Sequence, residues 1–196
     1  MSDHSVDGRP PATRRGREPK PVTASRLENK ALHYLEKFAS SAASLRRVLM
    51  RAVDRSARAH GTDRAEAARW VEDLIARYQR SGLLNDAAYA EGRTASLRRQ
   101  GRSARAIQAR LAAKGVAAGE IAKALAGEEA AGGRAELAAA VAFARRRRLG
   151  GFRPEAERAE RRDRDLAALA RAGFAIDVAR RVIDADQPLL LLDVSD

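Results

Sequence analysis

A chain of 196 residues without cysteine has no disulfide, no thiolate metal site and no cysteine nucleophile. Its 38 Lys and Arg against 26 Asp and Glu leave a formal charge of +12, which points to an acidic or polyanionic partner. No apolar run approaches the roughly 18 residues of a membrane span, and the polar, Pro- and Arg-rich opening has no signal-peptide apolar core, so a soluble, cytoplasmic protein without membrane contact is expected.

Residues 1–24 hold Pro10, Pro11, Pro19 and Pro21 among scattered charges. Such a composition cannot bury enough apolar surface to offset ordering entropy, and predicts a disordered basic arm. From Ser25 the pattern turns helical. Leu27, Ala31, Tyr34, Leu35 and Phe38 recur at steps of three and four, with Ser25 and Glu28 as a capping box. A second helix carries Leu45, Val48, Leu49, Ala52 and Val53 behind the Ser40-Ser41 pair. A third starts at Thr62-Asp63, buries Val71, Leu74, Ile75 and Tyr78, and stops at Ser81-Gly82.

Asn85 or Asp86 caps the fourth helix, which turns Tyr89 inward and ends at Gly101. Ser103 caps the fifth, with Ile107 and Leu111 inward and Gly115 as its stop. A short helix around Ile121 and Leu125 follows. One long helix is expected over Glu128 to Arg148, broken by Gly150-Gly151, and two last helices around Arg162 to Ala172 and Ile176 to Asp184. Strand alternation is missing, so the fold class is all-α.

The segment LAAKGVAAGEIAKAL from Leu111 repeats as LARAGFAIDVARRVI from Leu169. Leu111 matches Leu169, Gly115 matches Gly173, and Val116 matches Phe174. Leu45 and Leu49 stand where Ile107 and Leu111 stand, with an insertion around Ser56 to Asp63. The reading is an elongated array of three tandem three-helix repeats over 25–84, 85–127 and 128–186, between the 1–24 arm and a 187–196 tail. Each unit is too small for a full core, so neighbours must share one.

No catalytic constellation is present: no phosphate-binding Gly-Lys-Ser/Thr loop, no nucleophile elbow, no zinc-protease motif. His4, His33 and His60 lack metal-ligand spacing. A non-enzyme without cofactor or metal is expected. Two stretches lack acids. One, Gly92 to Gly119, carries Arg93, Arg98, Arg99, Arg102, Arg105, Arg110 and Lys114; the other, Leu137 to Pro154, carries Arg145, Arg146, Arg147, Arg148 and Arg153. A solvated helix face normally mixes signs. Sparse aromatics argue against a base-stacking platform and for backbone electrostatics if nucleic acid is touched.

Gly82, Leu83, Leu84, Asn85, Asp86, Tyr89, Ala90, Gly101, Ile107, Leu111, Lys114, Gly115 and Val116 together resemble the central signature of the RecX family, regulators of the bacterial recombinase RecA. ALHYL at Ala31 to Leu35 looks like that family's first helix, and the resemblance covers about residues 26–186. Arg93 and Thr94 depart from it, standing where relatives usually carry an apolar or aromatic pair. The resemblance implies a monomeric inhibitor of RecA. It would bind the RecA filament on single-stranded DNA, suppress ATP hydrolysis, strand exchange and filament growth, and act in DNA repair and the SOS response. Weak single- or double-stranded DNA binding is known for some members. The expected contact residues are Arg98, Arg99, Arg102, Arg105, Arg110, Lys114, Arg145, Arg146, Arg147 and Arg148. The alternatives are a general nucleic-acid-binding helical protein and a helical scaffold for another acidic protein.

Overall fold

The computed structural model describes residues 20–132 and 134–192, and these form helices joined by short turns, with no strand among them. Most of the expected 1–24 arm lies outside the described residues. Its last residues lead into α1 (Ala24–Lys37), whose N-cap is Thr23 and not Ser25: the Thr23 side chain accepts from the Arg26 N–H, and Ser25 already lies inside the helix.

α2 (Ala42–His60) and α3 (Arg64–Arg80) complete the first triplet. They start where the sequence places them, at Ser41 and Asp63, each cap oxygen accepting an otherwise orphaned first-turn N–H. The insertion around Ser56 to Asp63 is helix as far as His60, because nothing before Gly61 breaks the pattern. Leu27, Leu45, Leu49, Val53, Val71 and Ile75 form the centre of this triplet's buried cluster, and Trp70 packs against it.

α4 (Asp86–Arg99), α5 (Ala104–Ala113) and α6 (Ala118–Gly132) bury Ala90, Leu97, Ile107, Leu111, Val116 and Ile121. Thr94 is fully buried in α4 and its hydroxyl finds no hydrogen-bond partner among the described residues. The helix expected over Glu128 to Arg148 is two helices. α6 runs on through Glu128 and Glu129 to Gly132, and α7 (Ala135–Arg147) starts beyond a Gly-Gly pair of poor helix propensity in the sequence. α8 (Glu155–Arg171) begins well before the expected Arg162. Its first turns are charged and exposed, so they carry no apolar periodicity to read. With α9 (Ile176–Ile183) it surrounds the third cluster, centred on Val141, Phe143, Leu169, Phe174 and Val182.

The triplets join by one repeated device. The Ser41 hydroxyl, while capping α2, donates to the Lys114 carbonyl at the end of α5 (2.6 Å). The Ser103 hydroxyl, while capping α5, donates to the Ala172 carbonyl at the end of α8 (2.7 Å). The second helices thus meet end to end, the negative end of one dipole against the positive end of the next. At each meeting a carboxylate from the following unit accepts the first helical N–H: Asp86 from Ala42 (2.8 Å) and Glu136 from Ala104 (2.9 Å). Gly115 makes the approach possible, since a Cβ there would collide with Ala43, and its φ of +78 favours glycine. In the third unit the position matching Ser103 is Arg161, inside α8, so the stack has no seryl cap at that end.

Candidate binding surface

The basic residues of α4 and α5 divide into two groups. Arg98 is 7% exposed and paired with Glu136 of α7. Arg102 is half-buried with its Nε unpartnered, and its carbonyl accepts from Arg98 (3.4 Å). From α7, Arg146 donates to the Gln100 carbonyl. Arg98, Arg102 and Arg146 therefore converge on the α4–α5 link, where the second unit meets the third. Their charges were legible in the sequence; the burial of Arg98 was not, because Glu136 lies 38 residues away and only folding brings it there, and Arg146 stays exposed while it reaches the link.

The remaining members face outward. Arg99, Arg105, Arg110 and Lys114 are exposed and make no ion pair among the described residues. Arg105 lies along Gly173, and Lys114 lines a separate cleft with Arg93, Ser96 and Tyr89. At the end of α7, Arg145 and Arg148 are exposed and Arg147 lies 5.0 Å over the Phe143 ring. Arg148 adopts φ +53 and ends α7 in place of the glycine that usually does so. The run of four arginines thus points in several directions, with Arg146 turned to the joint.

Two features escape a linear reading. Arg164 and Arg171, seven apart on α8, share a cleft with Arg147 and Arg153. Mixed charges along α8 hide them in sequence, yet the neighbouring acids are engaged. Asp184 is held by Arg162 (2.7 Å) and Asp165 by Arg153 (2.8 and 3.0 Å). Burial alone would raise the Asp165 carboxyl, but the Arg153 guanidinium and the Gly150 N–H (2.9 Å) outweigh it and hold the group below its usual range. The other feature is an apolar cleft of about 780 Å³ between the end of α1 and the start of α4, lined by Leu32, Leu35, Leu83 and Tyr89. Burial raises the Tyr89 phenol above its ordinary value, with Arg93 opposing.

Among the described residues no His, Asp or Glu cluster could hold a metal ion, and no helix is long and apolar enough to cross a membrane. The surface presents cations in clefts and along helix faces, a chemistry of binding.

The family model described as RecX, second three-helix domain, matches residues 85–125, which span α4, α5 and the first half of α6. The regulatory protein RecX of Myxococcus xanthus is 49% identical over 171 residues, covering 87% of this chain and 90% of the relative. The regulatory protein RecX of Agrobacterium fabrum is 35% identical over 100 residues, 51% of each. No solved structure matches the chain.

Proposed function

The chain belongs to the RecX family of regulatory proteins, and on that premise we propose that it binds the RecA filament on single-stranded DNA and inhibits it. Binding suppresses ATP hydrolysis, strand exchange and filament growth, and so regulates DNA repair and the SOS response from the cytoplasm. The protein acts by occupying a surface and not by catalysis.

The observation that carries this reading is the set of unpaired cations on successive units. Arg99, Arg105, Arg110 and Lys114 lie on the second, and Arg145, Arg147 and Arg148 on the third, with no acid between Gly92 and Gly119 or between Leu137 and Pro154. These residues meet carboxylates of the filament groove and phosphates of the bound strand. Arg98 and Arg146 hold the second unit to the third and set the angle at which the two faces are presented. The units are 25–84, 85–127 and 128–186, with α6 running past the second boundary to Gly132 and the contact cations on the last two.

The test is RecA's single-strand-dependent ATPase, titrated with the wild-type chain and with an Arg99→Glu, Arg105→Glu, Arg110→Glu triple variant at fixed salt. All three side chains are exposed, so helicity is expected to stay the same. Inhibition by wild type well below one chain per RecA is expected, with the triple variant needing roughly tenfold more protein. Inhibition undiminished in the triple variant would place the contact elsewhere.

The cleft of Arg147, Arg164 and Arg171 favours a second reading in which DNA phosphates are the main contact. That reading requires binding to single strands without RecA, with a salt slope of about −0.7 per phosphate contacted.

A further inference from the structure

The first unit carries a cationic face that neither acid-free stretch of sequence marks. On α2, Arg47, Arg51, Arg55 and Arg58 are exposed and recur at steps of four, four and three, so they share one side of the helix. The only acid in α2, Asp54, lies at the edge of that side and is held by Arg64 of α3 (2.8 Å). Arg47 reaches to the first joint and donates to the Ala113 carbonyl (3.2 Å). Arg51, Arg55 and Arg58 make no ion pair among the described residues.

Arg55 also lines a cleft of about 430 Å³, to which the α1 side contributes Lys20, Arg26 and Lys30 and no acid. A buried pin shapes it. The Val22 N–H donates to the Ser56 hydroxyl (2.8 Å), which shares a second hydrogen bond with Thr62 (2.7 Å). The chain entering α1 is thereby held against α2, with Lys20 beside the cleft. Glu28, the acid between Arg26 and Lys30, is engaged by Arg77 of α3. Folding thus gathers like charges and leaves them without counter-charge, which favours an anionic partner. What the face lacks says which one. No exposed large apolar side chain lies on α2 or lines the cleft, whereas a protein interface needs such anchors at its centre. No aromatic ring lines it either, so bases have no platform. Cations alone suit phosphodiesters, whose contact is electrostatic and carries no sequence information.

We propose that Lys20, Arg26, Lys30, Arg51, Arg55 and Arg58 form a track for the phosphodiester backbone of nucleic acid on the first unit, separate from the cations of the second and third. Arg51 to Arg58 covers about 10 Å of helix axis, and the α1 cations widen the track across the cleft. The track does not rest on the RecA reading, and it binds a strand without RecA.

The experiment is fluorescence anisotropy of a labelled oligothymidylate, and of a duplex of equal length, titrated with the full chain over a range of salt. Two double variants are compared, Arg51→Glu with Arg55→Glu on the first unit and Arg164→Glu with Arg171→Glu on the third. All four side chains are exposed, so helicity is expected to stay the same. Arg51→Ala with Arg55→Ala, which keeps strong helix formers, guards against a folding defect. The first-unit reversal is expected to weaken binding at least about tenfold and to flatten the salt slope by about 1.4, two phosphate contacts at about 0.7 each on a single strand. The alanine pair is expected to flatten it equally with a smaller loss of affinity. Wild type that binds neither strand nor duplex overturns the proposal, as does a first-unit pair with wild-type affinity and slope, or one that loses no more than the third-unit pair. A first-unit pair that keeps its DNA affinity but no longer inhibits RecA would assign the face to a protein, and overturns it too. A chain that inhibits RecA yet binds no DNA alone leaves the filament reading standing and overturns only the track.

Discussion

The two joints of this array start from the same parts and end differently. Each has a serine that caps one helix and grips the carbonyl of another, and each has a carboxylate on the first N–H of the capped helix. At the first joint that carboxylate is Asp86, whose hydrogen bond goes to the cap. At the second it is Glu136, one methylene longer, which also reaches the buried Arg98. Gly101 then lies against the α7 backbone, and Arg146 closes on the Gln100 carbonyl. In the equal-length link of the first joint, Glu36 occupies the position of Arg98 and is exposed beside His33. A charge reversal at one position thus leaves the first joint a polar seam beside an open cleft, while the second is packed and ion-paired.

Removing the carboxylates tests that difference most directly. Glu136→Ala leaves Arg98 buried without a counter-charge, and a loss of about 3–5 kcal/mol is expected in urea unfolding. Asp86→Ala removes a helix-end hydrogen bond only, for about 1 kcal/mol. Equal losses would mean that the ion pair does not distinguish the joints.

Asp165→Asn separates the joint from the third unit's own pin, and is expected to cost about 3 kcal/mol near neutral pH. The carboxyl is lowered in the folded chain. Its contribution is therefore complete above the unfolded value of about 3.9 and disappears as pH falls through the lowered folded value. Acid titration of helicity should show wild type losing this increment below about pH 4, while the Asn variant runs flatter there.

Glycine substitutions come next. A Cβ at Gly101, with φ +65, would stand 2.7 Å from the Phe143 nitrogen and 2.9 Å from the Ala139 carbonyl, both helix backbone. Gly101→Ala is expected to lower stability by roughly 3 kcal/mol. Gly115→Ala, at φ +78, drives a Cβ into the Ala43 side chain alone, and α2 must draw back in the looser seam to admit it, for about 1–2 kcal/mol. Matching losses would make the joints equally tight.

The smallest effect is a separation of probes. Trp70 is the only tryptophan and packs in the first cluster, whereas helicity reports all three. Tryptophan fluorescence should shift at slightly lower urea than the far-ultraviolet signal, because the polar first joint couples its unit weakly. Coincident curves would show the array unfolding as one.

Much of the fold was legible because it is local. Ser41, Asp63, Asn85 and Ser103 cap the helices they precede, and Gly82, Gly101 and Gly115 follow the helices they end. Apolar periodicity marked Leu45, Leu49, Ile107 and Leu111 as core. The errors fell where that signal is weak. The α6–α7 break lies in an Ala- and Glu-rich stretch with no apolar contrast, and the first turns of α8 are charged all round. The basic stretches were visible as composition, but the division of Arg98 and Arg146 from Arg99, Arg105 and Arg110 was not, since a one-sign run looks alike whichever way its members point.

The sequence by itself determined an all-α chain with a repeated three-helix pattern and two acid-free basic stretches, because caps, stops and periodicity act over a turn or two of helix. Tertiary structure alone decided which arginines are spent inside and which remain for a partner. It also decided which joint closes and which keeps a cleft. Those outcomes depend on groups tens of residues apart, such as Arg98 with Glu136 and Ser103 with Ala172, whose meeting no local pattern encodes.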